Sequence, residues 1–155
     1  MQYVARFEYV HGVLFRFDTR IYLDSFTPTR ERESVCVGAV IGKNPGSARP
    51  TVLNELHPLE PRHDNLLPFV GNRFLEAYSR AQKPRPPNAY VRVWNLLYIV
   101  NEKLEEALLT AQELVAGGHP VLPVCPSECL TPPLVWYVWG DNDSRMNSYK
   151  ERFIL

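Results

Sequence analysis

Hydrophobic and polar positions change their spacing several times along the chain, and each change marks an element. Tyr3 to Val10 and Val13 to Phe17 are aromatic and β-branched runs separated by His11-Gly12, the pattern of a hairpin closed by a two-residue turn. Extended structure continues through Arg20 to Leu23, and the polar stretch Ser25 to Ser34, with Pro28, reads as a solvated connector. Val35 to Ile41 is a near-continuous apolar run, as expected of a strand buried on both faces of a parallel sheet. Arg49 to Pro68 shows little periodicity and predicts a long loop. Gly71-Asn72 reads as the opening of a helix capped by Asn72, with Phe74, Leu75, Tyr78 and Ala81 on its apolar face and Lys83 to Pro87 ending it. Tyr90 to Leu97 predicts a second sheet strand. Leu104, Ala107, Leu108, Ala111 and Val115 then recur at helical spacing between a capping Asn101 and a Gly117-Gly118 stop. Pro120 to Val124 and Leu134 to Trp139 predict two more strands. A last helix, capped by Asp143 or Ser144, turns Met146, Tyr149 and Phe153 inward.

A hairpin followed by strands alternating with helices predicts an α/β protein: a three-layer α/β/α sandwich on a mostly parallel sheet, preceded by an N-terminal β-hairpin. The 155 residues suit one domain, with residues 1–34 as hairpin and connector and residues 35–155 as the core. No apolar stretch approaches the length of a membrane span and no secretory leader opens the chain, so no membrane partner is expected. Three cysteines, an odd number, suit a reducing cytoplasmic setting. A net charge of zero argues against a dedicated binder of duplex backbone. It conceals an asymmetry: residues 1–92 hold 13 Lys and Arg against 9 Asp and Glu, and residues 93–155 hold 4 against 8. That polarity would steer an anionic ligand toward the first half, unless the charges are only a scattered solvated surface.

The chemistry concentrates where the central apolar run breaks into Gly42-Lys43-Asn44-Pro45-Gly46-Ser47. Pro45 presets φ for a turn and Gly46 accepts a positive φ after it, which offers backbone N–H groups with Lys43, Asn44 and Ser47 around them. Loops leaving parallel strands converge on one sheet edge, so Gly42 to Ser47, Asn95 to Asn101 and Gly140 to Ser144 are expected to share a pocket. Lys43, Asn44, Ser47, Asn95, Asp141, Asn142 and Asp143 would line it. Amides and a hydroxyl suit readout of a polar planar group or orientation of a water, with Asp141 or Asp143 as the candidate base. The plainer alternative is that Asn44 and Ser47 tie the turn to itself. His57 and His63 are weaker acid/base candidates. Cys125-x-x-x-Cys129 with His119 lacks the paired spacing of zinc sites, so neither metal nor cofactor is expected. The turn also lacks the Gly-Lys-Ser/Thr end of a phosphate-binding Walker loop.

These residues resemble two families. The Gly-x-x-x-Arg-Phe hairpin within Phe7 to Tyr22, Gly42-Lys43-Asn44-Pro45-Gly46-Ser47-Ala48, Asn95-Leu96 and Val138-Trp139-Gly140 are similar to the Gly-x-Tyr-Arg-Tyr, Gly-Leu-Asn-Pro-Ser-Thr-Ala, Val-Asn-Leu and Ala-Trp-Gly segments of the domain-of-unknown-function family 1643. The acidic residue that usually follows that signature is Arg49 here. Gly42-Lys43-Asn44-Pro45-Gly46 and Gly71-Asn72-Arg73-Phe74 also resemble motifs of the mismatch-specific branch of the uracil-DNA glycosylase superfamily. That resemblance implies that Asn44 orients a water toward a sugar carbon while an extruded base fills the pocket. Loop position and the two resemblances together make Gly42, Lys43, Pro45, Gly46, Ser47, Asn72, Arg73, Asn95 and Asn142 the candidate ligand-binding residues, beside Asn44, Asp141 and Asp143 as the candidate catalytic ones. The expectation is a protein that recognises a nucleobase, nucleotide or nucleic acid, with hydrolysis of an N-glycosidic bond as its specific form. The alternatives are a non-catalytic binding or interaction protein that keeps the fold, and a small-molecule hydrolase using Asp141 or Asp143 as base.

Overall fold

The computed structural model describes residues 1–62 and 64–154. His63 therefore lies outside the described residues. The elements are β1 (Gln2–Val10), β2 (Val13–Tyr22), β3 (Val35–Gly42), β4 (Leu56–Leu59), α1 (Leu66–Arg80), β5 (Ala89–Asn95), α2 (Leu104–Ala116), β6 (Val135–Tyr137) and α3 (Asn147–Lys150), with short 3-10 turns at Pro28–Glu33, Pro126–Cys129 and Ser144–Met146. None of the described helices is long and apolar enough to cross a membrane.

The six strands form one mixed sheet in the order β4-β1-β2-β5-β3-β6. Only β5-β3 and β3-β6 are parallel; β1-β2, β1-β4 and β2-β5 are antiparallel. The α/β class holds, but the sheet is mostly antiparallel where a mostly parallel one was expected. The reason lies in the hairpin. His11 and Gly12, with φ of 52° and 78°, make the left-handed two-residue turn that matches strand twist. Strand β2 then buries residues on both faces, so it must sit inside the sheet, beside β5, and not ahead of it. The expected loop between Arg49 and Pro68 contributes β4 to the outer edge of β1. Pro120 to Val124 is not a strand: Pro120 and Pro123 lack ladder donors, and Val121 is 85% exposed. Of Leu134 to Trp139, Val135–Tyr137 pairs with β3.

Helices cover both faces. Val40, Val91 and Val93 pack with Leu67, Val70 and Phe74 of α1. Their strand neighbours Ala39, Ile41 and Trp94 pack with Ala107, Leu108, Ala111 and Leu114 of α2, as the two-residue alternation of a strand requires. Leu114, not Val115, completes the buried stripe of α2. Met146 is fully buried against the same cluster, with Tyr149 and Phe153 packed beside it.

One irregularity in β2 matters for function. The register with β1 runs Arg6↔Phe17 and then Val4↔Arg20, so Asp18 and Thr19 together oppose Ala5. This is a β-bulge, with Asp18 at φ 49°. Phe15 and Phe17 lie in the α2-side cluster and Ile21 in the α1-side cluster, although all three are odd-numbered. The bulge has exchanged the faces, and Arg16 therefore points to the side of α1.

Helix α1 begins five residues before Gly71, so Asn72 is a mid-helix residue and not its cap. Pro68 is tolerated because it falls in the first turn, and Asp64 Oδ1 accepts from Leu66 N at 3.0 Å and Leu67 N at 3.4 Å. Gly71 lets α1 approach the sheet closely: a Cβ there would meet the flexible Met1 side chain and come within 3.0 Å of Ile21 Cγ2. A sharp test follows. Asn72→Ala is expected to stabilise the protein slightly, by roughly 0.5 kcal/mol in denaturant unfolding, because alanine is the better interior helix residue. A capping Asn72 would instead lose about 1 kcal/mol.

Candidate functional site

The carboxyl ends of β3 and β5 remain coupled beyond the sheet. Leu96 N and Leu97 N donate to Gly42 O and Lys43 O at 2.9 Å each, and Asn101 N to Pro45 O at 3.4 Å. Val138 N donates to Ile41 O at 2.9 Å, and Lys43 Nζ meets Asp141 Oδ1 at 2.9 Å. The three loops expected at one edge are thus neighbours there. The turn itself differs from expectation: Gly46 does not have a positive φ. Asn44 Nδ2 donates to Pro45 O and to Asn101 O, both at 2.9 Å, and so ties the turn to the segment entering α2. Asn101 Oδ1 in turn accepts from Lys103 N at 2.9 Å, just ahead of that helix.

Beside this turn lies a cleft of about 210 Å³ whose polar lining includes Arg16, Asn44, Ser47, Asp64, Asn95 and Glu102. Arg16 is 2% exposed, and its Nη2 lies 3.5 Å from Asp64 Oδ2. Its Nε and Nη1 have no hydrogen-bond partner among the described residues. Asn95 is also 2% exposed, and its Nδ2 is likewise without a partner. Burial pushes the Arg16 guanidinium below its ordinary range, and the Asp64 charge and hydrogen bond pull it back up. Burial raises the Tyr3 phenol on the neighbouring strand, and the charge of Asp64 adds to that. Two features fix Asn95. A Cβ on Gly42 would sit 3.2 Å from Asn95 Oδ1, so glycine leaves room for the amide. Arg152 Nη2 donates to Asn95 O at 2.9 Å and holds its backbone from the opposite side.

Of the residues expected at the site, Asn44, Gly46, Ser47 and Asn95 line this cleft. Gly42 and Pro45 support it from the turn. Lys43 and Asp141 are occupied with each other, and Asp141 is 89% exposed. Asp143 binds Arg145 through backbone and guanidinium, which holds its carboxyl down to about 2. The Lys43 hydrogen bond and charge lower Asp141 as well. Both carboxylates stay ionised at neutral pH, and neither borders the cleft, nor does the exposed Asn142. Asn72 and Arg73 are exposed on α1, where Arg73 pairs with Glu76 at 3.1 Å.

Sequence reasoning missed Arg16, Asp64, Asn65 and Glu102. The arginine stood in the Gly-x-x-x-Arg-Phe hairpin motif, but its direction depends on the bulge at Asp18. His57 lines a second, larger groove of about 900 Å³, formed along β1, β4 and residues 47–52, which shares Ser47 with the cleft. Among the described residues no cluster of three or more His, Cys, Asp or Glu is placed to hold a metal. Cys125 instead donates to Asp18 Oδ1 at 3.2 Å, and Cys129 is exposed. No protein family, curated protein or solved structure compared with this chain matches it.

Proposed function

We propose that the cleft binds a nucleobase, free or as part of a nucleotide, by pairing its carbonyl edge with the idle donors of Arg16 and Asn95. The observation that carries this reading is the fully buried guanidinium with two unpaired nitrogens beside a buried, unpaired amide nitrogen. Each buried donor left unpaired costs about 1–3 kcal/mol, and a ligand that supplies acceptors recovers it. Charge favours a neutral ring over a bare anion. Asp64 pairs with Arg16 at 3.5 Å, and Glu102 adds a second carboxylate to the lining of the same cleft. A ring bearing both carbonyl oxygens and an N–H suits donors and a carboxylate together. The volume, about 210 Å³, fits a single ring. The resemblance of Gly42 to Gly46 and of Gly71 to Phe74 to motifs of the uracil-DNA glycosylase superfamily supports the same ligand class.

A second reading, a non-catalytic binding protein, is favoured by the placement of the carboxylates. Asp141 and Asp143 lie outside the cleft, and Asn44 spends its amide N–H groups on the backbone. N-glycosidic hydrolysis would then fall to Asp64, which already serves Arg16 and the first turn of α1.

Calorimetric titration with uracil and the other free bases tests the proposal. Arg16→Met and Asn95→Ala are each expected to weaken binding about 10- to 100-fold, the loss of one charge-assisted or buried hydrogen bond, with folding checked by circular dichroism. Absence of base binding, or binding that both variants retain, would overturn it. Release of free base from nucleosides and oligonucleotides separates the hydrolytic form from the binding form.

A further inference from the structure

Ser47 lines both the cleft and the groove of about 900 Å³, so the two cavities are neighbours on either side of that residue. A ligand whose ring enters the cleft has the groove beside it, past Ser47, for its remaining atoms. The groove has a mixed lining: Tyr3, Val52 and Leu59 are among its apolar residues, and Arg49, Thr51, His57, Glu60 and Arg62 among its polar ones. Arg62 and Glu60 neutralise each other at 3.1 Å. Arg49, exposed and two residues from Ser47, makes no ion pair among the described residues. Among the described residues Arg49 is thus the arginine of the groove that carries no ion pair, and it stands two residues from the shared Ser47.

We infer that the ligand is a single nucleotide, its base in the cleft, its ribose in the groove beside Ser47 and its phosphate on Arg49. This rests on the base-binding reading of the cleft and adds the class of ligand. One uncommitted cation matches one phosphate, whereas a strand needs a row of them. The zero net charge of the chain agrees with a small ligand and not with a polyanion. The groove volume lies within the range of small-molecule sites.

The experiment is a calorimetric series with uracil, uridine, uridine 5′-monophosphate and a decauridylate strand at two salt concentrations, on the wild type, Arg49→Ala and Arg16→Met. Uridine 5′-monophosphate is expected to bind about tenfold tighter than uridine, with the gain shrinking at higher salt and abolished in Arg49→Ala. Equal affinities for uridine and its monophosphate, or a gain that Arg49→Ala retains, would overturn the nucleotide inference while uracil binding still upheld the cleft. A strand binding more than about tenfold tighter than the mononucleotide would overturn it in favour of a polymer. Failure of uracil to bind, or indifference of its binding to Arg16→Met, would remove the base-binding reading and the nucleotide inference together.

Discussion

Asp64→Ala is expected to lower the unfolding free energy by about 3–5 kcal/mol, more than a lost helix cap explains. Asp64 serves two structures at once. Its Oδ1 accepts from Leu66 N and Leu67 N at the start of α1, and its Oδ2 lies 3.5 Å from Arg16 Nη2. The cap alone contributes about 0.5–2 kcal/mol. The larger part comes from Arg16, which at 2% exposure would be left as a buried cation without a counter-charge. Asp64→Asn separates the two, because it keeps an acceptor for the helix and removes only the charge. The double variant Arg16→Met with Asp64→Leu is expected to lose less than Asp64→Ala alone, since no unpaired charge is then buried. Urea unfolding measures all three. A loss of only about 1 kcal/mol for Asp64→Ala would mean that the carboxylate acts as a plain cap, and the charge argument for a neutral ligand would fall with it.

The same pair shows what was legible in the sequence and what was not. Patterns set by nearest neighbours could be read directly: the hairpin at His11-Gly12, the doubly buried run of β3, the stripe of α2 and its Gly117-Gly118 stop. The edge at which the Asn-Pro-Gly turn sits was legible as well, because two parallel pairs, β5-β3 and β3-β6, place their following loops together. Strand partnership was not. Nothing in the period of β2 says that it lies beside β5, and that pairing makes the sheet mostly antiparallel. The start of α1 was hidden because Pro68 looks like a helix breaker unless the preceding cap is known, and Gly71-Asn72 looks like an entrance. The site was half legible. Asn44, Ser47 and Asn95 follow from loop position, but Arg16 sits in a run whose alternation is reset by a bulge.

That bulge carries the second large effect. Asp18→Ala is expected to destabilise the protein by about 3 kcal/mol and Asp18→Gly by less, although glycine removes more of the side chain. Asp18 adopts φ 49°, a conformation that costs a residue with a Cβ about 1–2 kcal/mol and glycine little. Its carboxylate meets Arg6 Nε and Nη2 at 3.1 Å, accepts from Cys125 Sγ at 3.2 Å and lies 3.9 Å from Arg92 Nη1, whose side chain is only 8% exposed. Both substitutions lose those partners, so their difference measures the backbone strain alone. Asp18→Asn, which tolerates the left-handed region, should lose the charge but not the geometry. Ligand binding then reports the link to function. Wherever the bulge survives, Arg16 remains on the α1 side and uracil binding should persist in Asp18→Gly at temperatures where the variant is folded. A folded Asp18→Gly that has lost binding would mean that glycine lets β2 shift register by one residue, which would carry Arg16 to the α2 side of the sheet and empty the cleft of its cation.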